Sequence, residues 1–170
     1  MRRNAPNLNT MINAIDIGFN KTYPGSMLSN FAANSFVFED VACASMEGLL
    51  QSFKFPNTNT QILVCSMVGH SAKLAGFKQH WQKKQELYWN GIIYKRHSND
   101  YQQLLTRAFE CLNSNARFKA ALSATRDSKL VHTIGKNDPY KTILTEEEFC
   151  WQLESLRKVN QHDINIIHEL

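Results

Sequence analysis

A carboxylate, an amide and an amine recur at i, i+4 and i+7 within residues 45–55: Glu47, Gln51 and Lys54. On a helix turning about 100° per residue, the three fall within about 60° of arc and share one face. Met46, Leu49, Leu50 and Phe53 flank that face on one side and Phe55 on the other, leaving Gly48 and Ser52 for the rest of the circumference. The segment has no ordinary charged solvent face, so its polar groups point together into apolar surroundings. Two readings fit this pattern: a reactive site, or a buried Glu47–Lys54 ion pair with Gln51 hydrogen-bonded beside it.

The reactive reading centres on Lys54. An amine set between Phe53 and Phe55 is partly desolvated, which disfavours its ammonium form and frees a nucleophile. Such an amine attacks carbonyl carbons. The aldehyde carbon of a ring-opened sugar is one, and a Schiff base there divides the cleavage of a glycosidic bond into two easier steps. Glu47 stands two turns earlier and could move the proton, although as a carboxylate it would instead hold Lys54 protonated. Gln51, between them, suits the orienting of a ligand hydroxyl or of the amine.

The elements that must hold this face are short. Ser45 caps the opening of the helix and Pro56 closes it, because a residue before proline is biased away from helical geometry. Upstream, Ile15, Ile17 and Phe19 alternate with polar or small residues as in a strand. Phe36, Phe38 and Val41 suggest a second strand that would pair with it, and residues 23–26 make a turn between them. Downstream the chain reads as mostly helical: residues 61–67, then 71–76 after a break at Gly69. A longer helix is capped by Ser98 or Asn99 and carries the stripe Tyr101, Leu104, Leu105, Ala108, Phe109 and Leu112. A short helix follows around Phe118 to Leu122, then strand character at 129–134, a loop at 135–138, and a capping box opening at Thr145 ahead of Phe149, Leu153 and Leu156. The expected fold is α+β, a mainly helical single domain with a small, mostly antiparallel sheet. The expected divisions are a flexible arm at 1–11, the domain at 12–160 and a tail at 161–170.

The bulk composition narrows the function classes. At 170 residues with 43% hydrophobic content, the chain can bury a proper core. A formal charge of +4 suits an anionic ligand without requiring one. Cys43, Cys65, Cys111 and Cys150 are widely spread with no Cys-x-x-Cys pair, which reads as reduced, packed cysteines and not as a zinc site. No signal-like segment and no membrane-length apolar run is present, so a soluble cytoplasmic protein is expected. A Gly-rich phosphate loop, a Gly-x-Ser-x-Gly elbow and a His-Glu-x-x-His helix are all missing, which lowers kinase, hydrolase and zincin readings.

The Glu-x-x-x-Gln-x-x-Lys-Phe pattern from Glu47 to Phe55, preceded by Ser29-Asn30-Phe31, resembles the NADAR superfamily, named for its association with NAD and ADP-ribose metabolism. Gly76 after Ala-Lys-Leu-Ala, Arg107-Ala108-Phe109, residues 115–122, Leu130-Val131-His132-Thr133 and residues 153–157 continue the match in order and spacing. The resemblance implies an N-glycosidase cutting a bond between ribose C1 and nitrogen. It acts either on ADP-ribose attached to guanine in nucleic acid or on riboflavin-pathway ribosylamino-pyrimidines. It implies Lys54 as the Schiff-base nucleophile, Glu47 and Gln51 as its helix partners, and Asn30 and Phe31 as substrate-binding. This chain departs from the riboflavin-type members at His132, where a Glu is usual, and at 135–144, which lack a Trp-Gly and glycine-rich stretch.

The implied partners are a substrate containing ADP-ribose or a ribosylamine, and modified DNA or RNA as its carrier. No cofactor, metal, membrane or obligate protein partner is implied. A silent ADP-ribose or NAD binding module is the alternative of a different class. Among supporting residues, Trp81, Trp89 and Phe31 could stack on a base, and Arg96 or Lys136 could meet a phosphate. Trp89 and Arg96 are favoured, because the stretch from Trp89 to Tyr101 lacks a clean helical stripe. Asp138 is a turn former and a candidate sugar ligand.

Overall fold

The computed structural model of the chain describes residues 13–168; the expected arm at 1–11 lies outside them. In chain order the elements are β1 (Ala14–Asp16), β2 (Phe36–Phe38), β3 (Val41–Cys43), α1 (Met46–Ser52), α2 (Thr58–Cys65) and α3 (Gly69–Phe77). A 3-10 turn (Trp81–Lys83) leads into β4 (Glu86–Trp89) and β5 (Ile92–Lys95), followed by α4 (Asn99–Leu112), α5 (Ala116–Ala124), β6 (Lys129–Val131) and α6 (Glu146–His168). The α+β, mainly helical reading holds. The strands form three separate pairs: β2–β3 and β4–β5 antiparallel, and β1–β6 parallel.

That pairing corrects one expectation. The first strand does not join the second; Ile15 instead lies beside Leu130, and the Ile17 amide extends the ladder to the Val131 carbonyl at 2.9 Å. A parallel partner requires a long crossover. Here most of the domain supplies it, so the first strand and the last meet beside residue 132. The strand at Phe36 closes on β3 instead, through a tight turn in which Glu39 and Asp40 both take positive φ (45° and 67°).

Helix α4 buries the stripe read from the sequence, with all six of its apolar residues inside. They pack with Leu49, Leu50 and Phe53 of the α1 segment and with Phe149 and Leu153 of α6 in one continuous core. The capping box is formed as expected: the Glu148 amide donates to Thr145 Oγ1 at 3.1 Å and the Thr145 amide to Glu148 Oε2 at 2.7 Å. Helix α6 then runs unbroken to His168, past the expected boundary at 160.

Candidate active site

Helix α1 is shorter than the sequence pattern suggests. Ser45 Oγ accepts from the Gly48 amide at 3.0 Å and donates to the Met67 carbonyl at 2.9 Å, which caps the helix and ties its start to the α2–α3 connection. A side chain at Gly48 would place a Cβ 2.7 Å from that same Met67 carbonyl oxygen, so only glycine lets the two segments approach this closely. The helix ends at Ser52. Lys54 follows in a turn tightened by hydrogen bonds from its amide to Gln51 O (3.2 Å) and from the Phe55 amide to Ser52 O (3.0 Å).

This turn is fixed from outside. Tyr88 of β4 donates its amide to the Phe53 carbonyl at 2.7 Å, and the buried Gln61 donates Nε2 to the Phe55 carbonyl at 2.7 Å and to Tyr88 O at 2.9 Å. The backbone on both sides of Lys54 is thereby held by the β4–β5 hairpin. Pre-organisation of this kind is what a reacting side chain requires.

Glu47, Gln51, Lys54 and Asn30 all line one cavity of about 320 Å³. Glu47 and Gln51 are each only 6% exposed. Gln51 Nε2 donates to Glu47 Oε1 at 2.9 Å, and no ion pair joins Glu47 to Lys54; the ion pairs among the described residues lie elsewhere. The buried ion-pair reading is therefore not the arrangement observed. Gln51 Oε1 and Asn30 Oδ1 are buried acceptors without a protein partner, which suits donors on a ligand. Gly76 of α3 lets Gln51 lie where it does, since a Cβ there would fall 1.9 Å from Gln51 Oε1.

The electrostatics separate the roles of the acid and the amine. Burial pushes the Glu47 carboxyl up from its ordinary value, against the opposing pull of Lys73, the Gln51 hydrogen bond, Lys54 and His132. Burial also brings the Lys54 amine down to about 8, with the Lys73 charge adding to the drop and Glu47 opposing it. A carboxyl shifted toward its acid form holds the amine protonated less firmly. At pH 7 about a tenth of Lys54 is then free amine, against about three in ten thousand at an ordinary lysine value.

The rest of the cavity wall is cationic. Lys73, Lys136 and Lys141 join Lys54 there, with Glu47 as the one carboxylate among the lining residues, and Trp81 supplies an aromatic face. His132 also lines the cavity, its Nδ1 2.7 Å from the Ile17 carbonyl oxygen.

Several expected ligands lie elsewhere. Trp89 is 2% exposed, packed against Phe38 and Phe53 with its indole N–H on Glu39 at 2.8 Å, and cannot stack on a substrate from that position. Arg96 is 1% exposed; it forks onto Glu148 at 2.9 and 2.7 Å and donates Nε to the Thr142 carbonyl at 2.9 Å. It therefore anchors the loop whose residues 141–144 wall the cavity, together with Tyr101, whose hydroxyl donates to Ile143 O at 2.7 Å. Phe31 stands behind the wall, stacked on Phe19 at 5.4 Å with the Lys73 ammonium 5.6 Å from its ring centre. Asp138 is outside the cavity, accepting from the Tyr140 amide at 3.0 Å and pairing with Lys141 at 3.4 Å. Of the residues named beside Trp89 and Arg96 for stacking and phosphate contact, Trp81 and Lys136 do line the cavity.

The sequence pattern around Glu47, Gln51 and Lys54 does not extend to His132 and Lys73, which also line the cavity. Lys73 sits one turn before Gly76 on α3, and His132 directly follows β6; neither has a local signal, because each reaches the cavity through long-range packing. Among the described residues no group of three or more His, Cys, Asp or Glu is placed to hold a metal ion, and no helix is long and apolar enough to cross a membrane.

The chain is similar to proteins of bacteriophages. Residues 22–158 match the model of the family described as bacteriophage protein GP30.3. A relative from enterobacteria phage T4, an uncharacterized 17.1 kDa protein of the Gp30-rIII intergenic region, is 35% identical over 149 residues, covering 84% of this chain and 96% of the relative. The NMR structure of the E. coli protein YbiA shares the fold at 17% identity with a TM-score of 0.61, over 92% of this chain and 88% of that one. At that identity the likeness shows a shared fold, the fold of YbiA.

Proposed function

The chain belongs to the bacteriophage protein GP30.3 family, and we propose that it is an N-glycosidase that removes ADP-ribose from a modified nucleobase, guanine first among them, through a Schiff base on Lys54. The observation that carries this reading is the Lys54 amine. It is brought down to about 8, fixed through the backbone on both sides, and set in a cavity with a buried carboxyl that burial shifts toward its acid form. Lysines 73, 136 and 141 on the same wall suit a pyrophosphate, which carries the negative charge of ADP-ribose.

The first half-reaction uses both groups. Lys54 Nζ bonds to ribose C1 while the electrons of the C1–N bond leave with the base, which takes a proton from Glu47. Nζ returns a proton to Glu47, and the sugar ring opens at C1–O, its oxygen taking a proton from solvent, to leave a protonated imine on Lys54. In the second half, water adds to the imine carbon and the amine departs, releasing the sugar as its aldehyde. Gln51, bonded to Glu47, keeps the carboxyl in place and offers its free oxygen to a sugar hydroxyl.

The test is a comparison of substrates with wild type and Lys54→Ala. ADP-ribosylated guanine in an oligonucleotide should be cleaved by wild type and left intact by the variant. Faster turnover of a ribosylamino-pyrimidine would move the assignment to riboflavin-type substrates. Calorimetric binding of ADP-ribose with no turnover of either substrate would make the chain a binding module.

A further inference from the structure

We infer that His132 is a second catalytic group in this cavity, the base that activates the water for release of the sugar from Lys54; this rests on the glycosidase reading above. The residue is held by three parts of the fold: the end of β1, helix α6 and the turn at Gly135. Nδ1 lies 2.7 Å from the Ile17 carbonyl oxygen, which can only accept, so the proton of the neutral ring is on Nδ1 and Nε2 keeps its lone pair. Phe149 of α6 meets the ring edge-on at 5.1 Å. Gly135 packs against its other side, where a Cβ would come 2.6 Å from the ring's Cδ2. The His132 amide, finally, donates to Glu146 Oε1 at 3.4 Å.

Nε2 has no protein partner among the described residues, and the residue forms part of the cavity wall. A carbonyl that sets the tautomer and a fixed ring with one free basic nitrogen form the arrangement of an oriented general base.

The other groups around the cavity leave this role open. Lys54 is consumed in the adduct. Glu47 ends the first half-reaction as an acid and cannot accept a proton. Lys73, Lys136 and Lys141 are better suited to meet the phosphates of the ligand than to take a proton from water. Among the described residues His132 is the one remaining titratable side chain lining the cavity. In the step, Nε2 takes a proton from water as the water oxygen bonds to the imine carbon, and the C=N electrons move to Nζ. The imidazolium then passes its proton to Nζ, and the C–N bond breaks as the hydroxyl oxygen forms the aldehyde C=O and gives its proton to solvent, which returns Lys54 as the free amine and His132 as the neutral ring.

His132→Asn separates base from scaffold, because the Asn amide nitrogen can occupy the place of Nδ1 and keep the bond to Ile17 while offering no basic nitrogen. In single turnover with an ADP-ribosylated oligonucleotide, base release should stay within a few-fold of wild type. Sugar release should fall about 100-fold or more, so that borohydride traps more adduct than in wild type. His132→Gln, which does not keep the Ile17 anchor, should show the same imbalance on a less stable protein. Sugar release at the wild-type rate, or equal slowing of both steps in both variants, overturns the assignment. Absence of both adduct and base release in wild type would instead overturn the glycosidase reading itself.

Discussion

Lys73→Met tests the electrostatic part of the mechanism, because Lys73 acts on the amine without taking part in the chemistry. Its charge is one of the two influences that bring Lys54 down to about 8 from the ordinary 10.5. Removing it moves the amine back toward its ordinary value, and each unit of that return cuts the free amine at pH 7 about tenfold. Return of the full interval would cost roughly 300-fold, which bounds the effect from above. The assay is the single-turnover rate of base release at saturating substrate, followed from pH 6 to pH 10.5. Wild type should rise about tenfold per unit and level off near pH 8. The variant should level off at higher pH and converge on the wild-type rate once both amines are neutral. A uniform loss at every pH would show that Lys73 only binds substrate, and an unchanged profile would show that Lys54 does not respond to its neighbour's charge.

Other consequences follow from the same geometry. Lys54→Met should raise the melting temperature at pH 7: the folded amine titrates near 8 and the unfolded one near 10.5, so burial of the charge costs stability below pH 8, and that cost fades as pH rises to 10.5. The gain, discounted for partial solvent screening, is about 2 kcal/mol by thermal or urea unfolding at pH 7, and no gain at any pH would refute the depressed value. Gly76→Ala should leave stability within about 1 kcal/mol, since added helix propensity offsets the crowding. The displaced Gln51 should nevertheless lower turnover at least tenfold or so, and full activity would show that its position is unimportant. Arg96→Met should cost about 3–5 kcal/mol by leaving Glu148 unpaired. Loss of substrate affinity without loss of stability would instead make Arg96 a ligand contact.

The sequence carried the face at 47, 51 and 54 because its signal is local: three polar groups with no solvent side to occupy. The α4 stripe and the Thr145 capping box were legible for the same reason, being patterns complete within one or two turns. What the sequence hid depends on distant partners. The β4–β5 hairpin was passed over although Asn90-Gly91 supplies the positive φ pair (46° and 81°) of a tight hairpin turn. The stretch was judged by its lack of a helical stripe, so Trp89 and Arg96 looked like free ligands when one is core and the other an anchor for a loop. The parallel β1–β6 pair could not be read from either strand alone, and with it went the placing of His132 beside the carbonyl of Ile17.

The central claim is a covalent bond between Lys54 and a ribose carbon. The direct measurement is peptide mass mapping after borohydride reduction of the protein mixed with an oligonucleotide bearing ADP-ribosylated guanine. The account predicts a stable ADP-ribose adduct on the peptide containing Lys54, missing from Lys54→Ala. Release of ADP-ribose with no adduct, or an adduct on another lysine, would contradict it.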